Sequence, residues 1–339
     1  MLAVVTTAAG RGRRPTPTPQ ASFLDRIDAR VLVVLGAGCI SVSAILMKLS
    51  EASAPTASFY RCVLALPLLL PLVLAERRRW GVRAWRRQGV ELVAGVLLGV
   101  DMVLWGLAIG RLGAGIATVV VNIQVVIVPL LALLVYRERV PRRFVLIVPV
   151  MLGGVALAAG ALGGETATTG SAWWGAVFGV AAGAAYAGYL FLLRGRTAGG
   201  PRHQAQPVLA ATVGAALASA ALGPFAGGLD LTPGWQAVGW LAALAVSGQV
   251  CGWLLISAGL PRLQSNVGST LLLLQPVLAV LFAIGLVGER PTAWQLLGCV
   301  VVIAGVWVTS ARPRRPTDPV AAADADPAVG GTRDRATYT

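Results

Sequence analysis

The chain has 339 residues, 56% of them hydrophobic and 12% charged, with a formal net charge of +14. Soluble domains carry about 25% charged residues, and a water-exposed fold has no means of hiding so much apolar surface. A cytosolic enzyme and a soluble binding domain are therefore excluded, and the natural solvent of this chain is lipid.

Residues 1–30 are polar and contain proline and arginine, which predicts a disordered cytoplasmic tail. The opening MLAVVTTAAG carries its arginines after the apolar part, so it does not read as a cleaved signal peptide. A bilayer-spanning helix takes about 20 apolar residues. Ten candidates follow in order: 31–49, 57–75, 90–110, 114–135, 143–161, 173–193, 206–226, 236–260, 266–287 and 293–309. They leave no room for a soluble domain, and the alternation expected of a membrane β-barrel is absent. Residues 311–339 form a low-complexity second tail, expected to be disordered and cytoplasmic. Cys39, Cys62, Cys251 and Cys299 lie in apolar stretches without metal-type spacing, so they are expected to be buried small hydrophobes.

The positive charge is sorted by loop. With the N-terminus inside, the N-tail, the even-numbered loops and the C-tail carry 24 of the 28 basic residues. The outer loops carry Arg111 and Arg290. Arginine-rich loops stay on the cytoplasmic side, so the expectation is a multi-pass protein of the plasma (cytoplasmic) membrane, N-in and C-in. The basic face meets anionic lipid headgroups, and no nucleic acid is needed to explain it. Trp80, Trp173, Trp174, Trp235, Trp294 and Trp307 lie near span ends, as an aromatic belt does.

A shift of 151 residues aligns 106–139 with 257–290 without a gap, setting Arg111 on Arg262, Gln124 on Gln275 and Glu138-Arg139 on Glu289-Arg290. Gly154 falls on Gly305. Each unit then holds five spans. Five is odd, so the second copy enters the membrane the other way up. The predicted fold is all-α: a polytopic membrane protein with ten transmembrane helices in two inverted five-helix repeats, 31–161 and 173–309. Such a repeat is a transporter design.

GCISVSAILMKLSEASAPTASFYRCVLALPLLLPL (38–72) resembles the first hairpin of the drug/metabolite transporter (DMT) superfamily, with Lys48 late in the first helix and Arg61 opening the second. LLALLVYRER and LAVLFAIGLVGERPTAWQLLGCVVVIAGV resemble the "GE" close of the paired EamA-type repeat. The resemblance implies a ten-helix transporter over residues 31–309. One departure is Val125, which stands where the second half has Pro276.

Few polar residues interrupt the spans, and they are the candidate site. Asp101 sits mid-span, where an ionised carboxylate costs about 2.5–3.5 kcal/mol on insertion scales. It is a candidate to bind an amine or to carry a proton, against the alternative of a hydrogen-bonded structural aspartate. Trp105 lies one turn on, on the same face. Thr118 and Asn122 share a face of the fourth span, whereas Gln124 is about 200° from Asn122 and should point elsewhere. Asn266, Ser269 and Gln275 are candidates in the ninth span, and Tyr186 and Tyr189 share a face of the sixth. Lys48 and Arg61, at the outer ends of adjacent helices, read either as snorkelling cations near Glu51 or as a vestibule for a carboxylate. Arg61 is expected to lie about 9 Å in depth from Asp101 by helical rise. Gly175, Gly179 and Gly183 form GxxxG steps for close helix approach. Glu138 and Glu289 read as capping or pairing groups.

The expected function is a secondary active transporter exporting small organic metabolites or drugs. An amino-acid-like zwitterion is the favoured solute, and proton coupling through Asp101 is a further option. The alternatives are an intramembrane enzyme, which lacks a catalytic constellation, and a non-transporting scaffold. No Walker A motif appears, and no cofactor or metal is expected. The expected partners are the small-molecule substrate and the lipid bilayer, with a homodimer left open.

Overall fold

The structure is a computed structural model that describes residues 27–137, 142–158, 170–193, 203, 205–263, 267, 271–272 and 274–310. The remainder of both expected tails, together with Glu138, Asn266 and Ser269, lies outside the described residues. The helices are α1 (Ala29–Leu49), α2 (Ala54–Trp80), α3 (Trp85–Leu112), α4 (Ala114–Val121), α5 (Gln124–Tyr136), α6 (Arg142–Ala158), α7 (Gly170–Leu193), α8 (Ala205–Leu222), α9 (Trp235–Gly259), α10 (Leu274–Val287) and α11 (Ala293–Ser310). Among the described residues, seven helical stretches are long and apolar enough to cross a bilayer. Shorter apolar helices, Leu146–Ala158, Leu274–Val287 and Ala293–Val308, stand where the other three spans are expected.

Local chemistry explains where the helices start and stop. Asp28 caps α1 by accepting from the Arg30 N–H at 2.7 Å. Ser53 caps α2, with Pro55 in the first turn, where its missing N–H costs nothing. Both α2 and α3 outrun their apolar cores, because Arg77–Arg79 and Trp85–Gln88 continue the helix beyond the apolar windows. Arginines in the last turn of α2 suit the negative end of the helix dipole. Gly81, at φ 80°, then ends the helix.

Hydrogen bonds sort the helix ends into two groups. At one end of the bundle, Ser53 Oγ donates to the Gly228 carbonyl at 2.7 Å, Tyr60 Oη to the Leu231 carbonyl at 2.7 Å, and Lys48 Nζ to Glu289 Oε1 at 2.8 Å. At the other end, the Ala205 and Gln206 N–H groups donate to Glu76 at 3.1 and 2.8 Å. There too, Arg262 donates to the Ile27 carbonyl at 2.9 Å. The first group comprises loops expected outside, and the second comprises segments expected inside.

Apolar side chains cover the outer surface: Leu134 is 75% exposed and Leu146 72%. In lipid these have no reason to collapse inward, so helix association rests on close packing of small residues. The glycine steps of α7 do this work. A Cβ on Gly175 would press on Leu112, one on Gly179 on Val120, and one on Gly183 on the Val121 carbonyl. The three glycines thus seat α7 against the end of α3 and the C-terminal end of α4.

Helices α6 and α11 pack with a reciprocal register. Gly298 abuts Ala158 and Gly154, Gly154 abuts Val301 and Val302, and Gly305 abuts Met151 and Ile147. One number rises as the other falls, so the pair is antiparallel. The pairs 154/298 and 305/147 exchange under the 151-residue shift, as do 154/302 and 305/151. Elsewhere α1 packs on α9 and α10, while α7 packs on α3 and α5.

Two expectations need correction. The span 114–135 is not one continuous helix. It breaks at Asn122-Ile123, where backbone bonds shorten to the i−3 type: Asn122 N–H to Val119 O at 3.0 Å and Ile123 N–H to Val120 O at 3.1 Å. Asn122 Nδ2 takes over the freed Thr118 carbonyl at 2.8 Å, replacing the lost backbone bond. Of the four cysteines, Cys62 and Cys299 are buried, but Cys39 and Cys251 are only half-buried. Gly38, beside Cys39, has open space over it.

Candidate functional site

A cavity of about 90 Å³ lies among the spans. Its wall is built from α1 (Ile40), α2 (Arg61), α3 (Leu98, Asp101, Met102, Trp105), α4 and the break (Thr118, Val121, Asn122), and α5 (Gln124). It is completed by Tyr186 of α7, Trp253 of α9 and Gln275 of α10. A larger depression, about 460 Å³, opens between the 50–53 turn and the 227–234 loop. It lies at the bundle end, lined by Ser50, Glu51, Ser53, Thr56 and Asp230, and holds none of the mid-span candidates such as Asp101, which line the smaller cavity.

Two charges share this cavity. Arg61 is 4% exposed and Asp101 9%, and both line the cavity wall. Three buried polar atoms of lining residues have no hydrogen-bond partner among the described residues: Asp101 Oδ1, Gln124 Oε1 and Trp253 Nε1. Buried polar groups are nearly always paired, so two acceptors and a donor at one cavity mark it as a place for a polar ligand. Other polar groups are spoken for within α4 and the break. Thr118 Oγ1 donates to the Ala114 carbonyl at 2.8 Å, and Asn122 Nδ2 to the Thr118 carbonyl.

An aromatic wall backs the cavity. Tyr186 and Tyr189 stack with centroids 5.7 Å apart and planes at 12°. Trp253 meets both edge-on, at 6.4 and 5.9 Å. Such contacts hold the rings in one arrangement. Among the described residues no group of three or more His, Cys, Asp and Glu is placed to hold a metal.

Of the residues singled out in the sequence, Arg61, Asp101, Trp105, Thr118, Asn122, Tyr186 and Gln275 come together here. Tyr189 does not line the cavity: it is buried behind Tyr186. Lys48 and Arg61 do not form a common vestibule. Lys48 stands at the bundle end and pairs with Glu289 rather than Glu51, whereas Arg61 is buried among the spans. The opposed directions expected for Asn122 and Gln124 are also corrected. The break resets the helical phase between them, and both reach the cavity. Sequence reasoning missed Trp253 and Gln249. Gln249 is a polar residue deep in an apolar span, the same signal that singled out Asp101, and Trp253 stands mid-span rather than in the belt.

An all-helical bundle with apolar outer faces and charged groups enclosed between its spans defines a multi-pass membrane protein. The model of the EamA-like transporter family matches residues 29–160 and 173–311. The chain belongs to this family, within the drug/metabolite transporter superfamily, and is a membrane transporter by that membership. Seventeen chains of solved structures also match. One, described as "Crystal structure of protein", has a TM-score of 0.58 at 16% identity, covering 84% of this chain and 99% of its own, a likeness of fold. No curated protein matches the chain.

Proposed function

We propose that the protein is a secondary active transporter of small organic solutes, working by alternating access across the plasma membrane. The observation that carries this reading is the cavity holding Asp101 and Arg61. Its wall draws on α1–α5 from the first matched segment and on α7, α9 and α10 from the second. A site between two such halves is exposed to either side as they rock. In this reading ten spans form two inverted five-helix repeats. The antiparallel, reciprocal packing of α6 on α11 supports that arrangement, as does the exchange of α1 and α7 in their packing. The arginine distribution supports cytoplasmic termini. Export is the direction we assign, on the family resemblance.

The favoured solute is a zwitterion of amino-acid type. Asp101 and Gln124 offer acceptors to an ammonium group, while Arg61 and Trp253 offer donors to a carboxylate. Both charges line the same small cavity, so one small molecule spans them. A drug-sized ligand takes a pocket of about 300–1,000 Å³, well above the volume enclosed here. Asp101 is also the group placed to carry a proton with each cycle.

Counterflow in proteoliposomes against a panel of amino acids, amines, purines and sugars tests the reading. Exchange of zwitterionic amino acids is expected, reduced more than tenfold by Asp101→Asn and by Arg61→Gln. Folded protein that exchanges no solute overturns the transporter reading. If Asp101→Asn leaves the pH dependence of transport unchanged, proton coupling through Asp101 is wrong.

A further inference from the structure

The guanidinium of Arg61 is held from behind by a buried polar chain that belongs to other helices. Arg61 Nε donates to Gln249 Oε1 at 3.1 Å, and Gln249 Nε2 donates to Thr212 Oγ1 at 2.8 Å. Gln249 is 1% exposed and Thr212 0%. Arginine has donors only, so Gln249 must turn its oxygen to Arg61 and its nitrogen to Thr212. The amide is thereby fixed in one orientation.

Backbone geometry brings the chain together. Gln249 lies in the π-helical segment of α9, Ala245–Gly252. Such a segment re-aims side chains relative to a regular helix. Gly248, beside it, leaves the room that Arg61 occupies: a Cβ there would stand 3.2 Å from Arg61 Nη2 and collide with Ser43 Oγ.

The identity of the acceptor matters. A guanidinium is a rigid planar fork, so pinning Nε sets the plane and leaves the Nη groups for other partners. A glutamate at 249 would neutralise the charge while doing so. A glutamine positions the fork and leaves its charge available.

Resting on the transporter reading above, we infer that Gln249, itself oriented by Thr212, is a positioning residue that aims Arg61 at the carboxylate of the transported solute. Gln249 does not touch the solute. It acts through Arg61, so its loss impairs recognition of one chemical group only.

The test uses full-length protein in proteoliposomes and a mixture of the 20 labelled L-amino acids as probe. The amino acid exchanged best is then compared with its own carboxamide, which keeps the ammonium group and lacks the carboxylate charge. Gln249→Leu is expected to raise half-saturation for the amino acid about tenfold or more, with the maximal rate retained and the carboxamide shifted less than about twofold. Gln249→Glu, close in shape, should do the same by cancelling the charge. Thr212→Val should give a smaller shift in the same direction, and Thr212→Ser should restore wild-type behaviour.

Equal shifts for amino acid and carboxamide in Gln249→Leu, or no shift in either, overturn the inference. If Gln249→Leu does not fold, Gln249→Glu and Thr212→Val decide it by the same criterion. If Arg61→Gln itself fails to change the discrimination, or no amino acid is exchanged, the carboxylate reading of the site falls, and this inference with it.

Discussion

Lys48 and Glu289 stand 241 positions apart in the chain and 2.8 Å apart in space. The Glu289 carboxylate also accepts the Ala114 N–H at 2.7 Å and the Gly115 N–H at 3.3 Å, so it caps α4 from the far end of the chain. Gly113 makes this approach feasible, since a Cβ there would meet the carboxylate at 2.8 Å. One side chain therefore ties α1, α4 and the turn after α10.

The cap should outweigh the ion pair in stability. The Lys48 side chain is 38% exposed, and exposed pairs contribute about 0–1 kcal/mol, whereas losing a cap costs about 0.5–2 kcal/mol. Glu289→Ala should thus lower the thermal midpoint of the purified protein more than Lys48→Met. The Lys48→Met effect should shrink further in high salt. Equal losses from the two variants contradict this ordering.

The break at Asn122 should depend on its side chain. In Asn122→Leu nothing takes up the Thr118 carbonyl except the backbone N–H of residue 122 itself, which restores a regular turn. Gln124 should then swing away from the cavity. Gln124→Cys should react with a small water-soluble thiosulfonate in the otherwise unchanged protein and lose that reactivity when Asn122→Leu is added. Undiminished labelling contradicts the account.

Gly183→Ala should destabilise where Gly110→Ala does not. A Cβ at 183 meets the Val121 carbonyl at 2.7 Å, backbone that has nowhere to go, while one at 110 meets nothing within 4 Å. Overpacking costs about 1–3 kcal/mol. Thermal melts of the two variants should differ clearly, and comparable midpoints would show that α7 is free to shift.

The Arg83–Glu91 pair, at 2.8 Å with side chains 8% and 3% exposed, should resist salt. Removing one partner of a buried pair costs about 3–5 kcal/mol. Arg83→Met should therefore lower the melting temperature strongly at any ionic strength, and adding Glu91→Gln should recover part of the loss. A salt-sensitive, small effect would place the pair in water.

How much of this was legible in the sequence differs by feature. Among the described residues, seven of the ten expected spans are matched by helices long and apolar enough to cross a bilayer, because lipid imposes length and hydropathy on each helix independently, so ends such as Ser53 and Gly81 fall near the expected turns. Asp101 stood out for the same reason, as a costly residue in an apolar run. The burial of Arg61 was not readable. Its position near a span end suggests snorkelling, whereas in the fold it is buried and bonded to the chain through Gln249 and Thr212, 188 and 151 positions away. The break at Asn122 was also hidden. Its flanks, TVVV and IQVVIV, carry no glycine or proline to mark a break, which rests on one amide reaching a carbonyl four residues back. Because that break changes the phase, a helical wheel drawn through residues 114–135 misplaces Gln124.

Helix α4 has only eight residues, with Gly113 at φ 87° before it and the break after it. At about 1.5 Å per residue it is a rod of about 12 Å. A tilt of about 20° pivoting on Gly113 would carry Asn122 sideways by about 4 Å, roughly the width of a methyl group. The Glu289 carboxylate holds one end of the rod and Asn122, at the cavity wall, stands at the other, so one short rigid element joins the bundle end to the cavity.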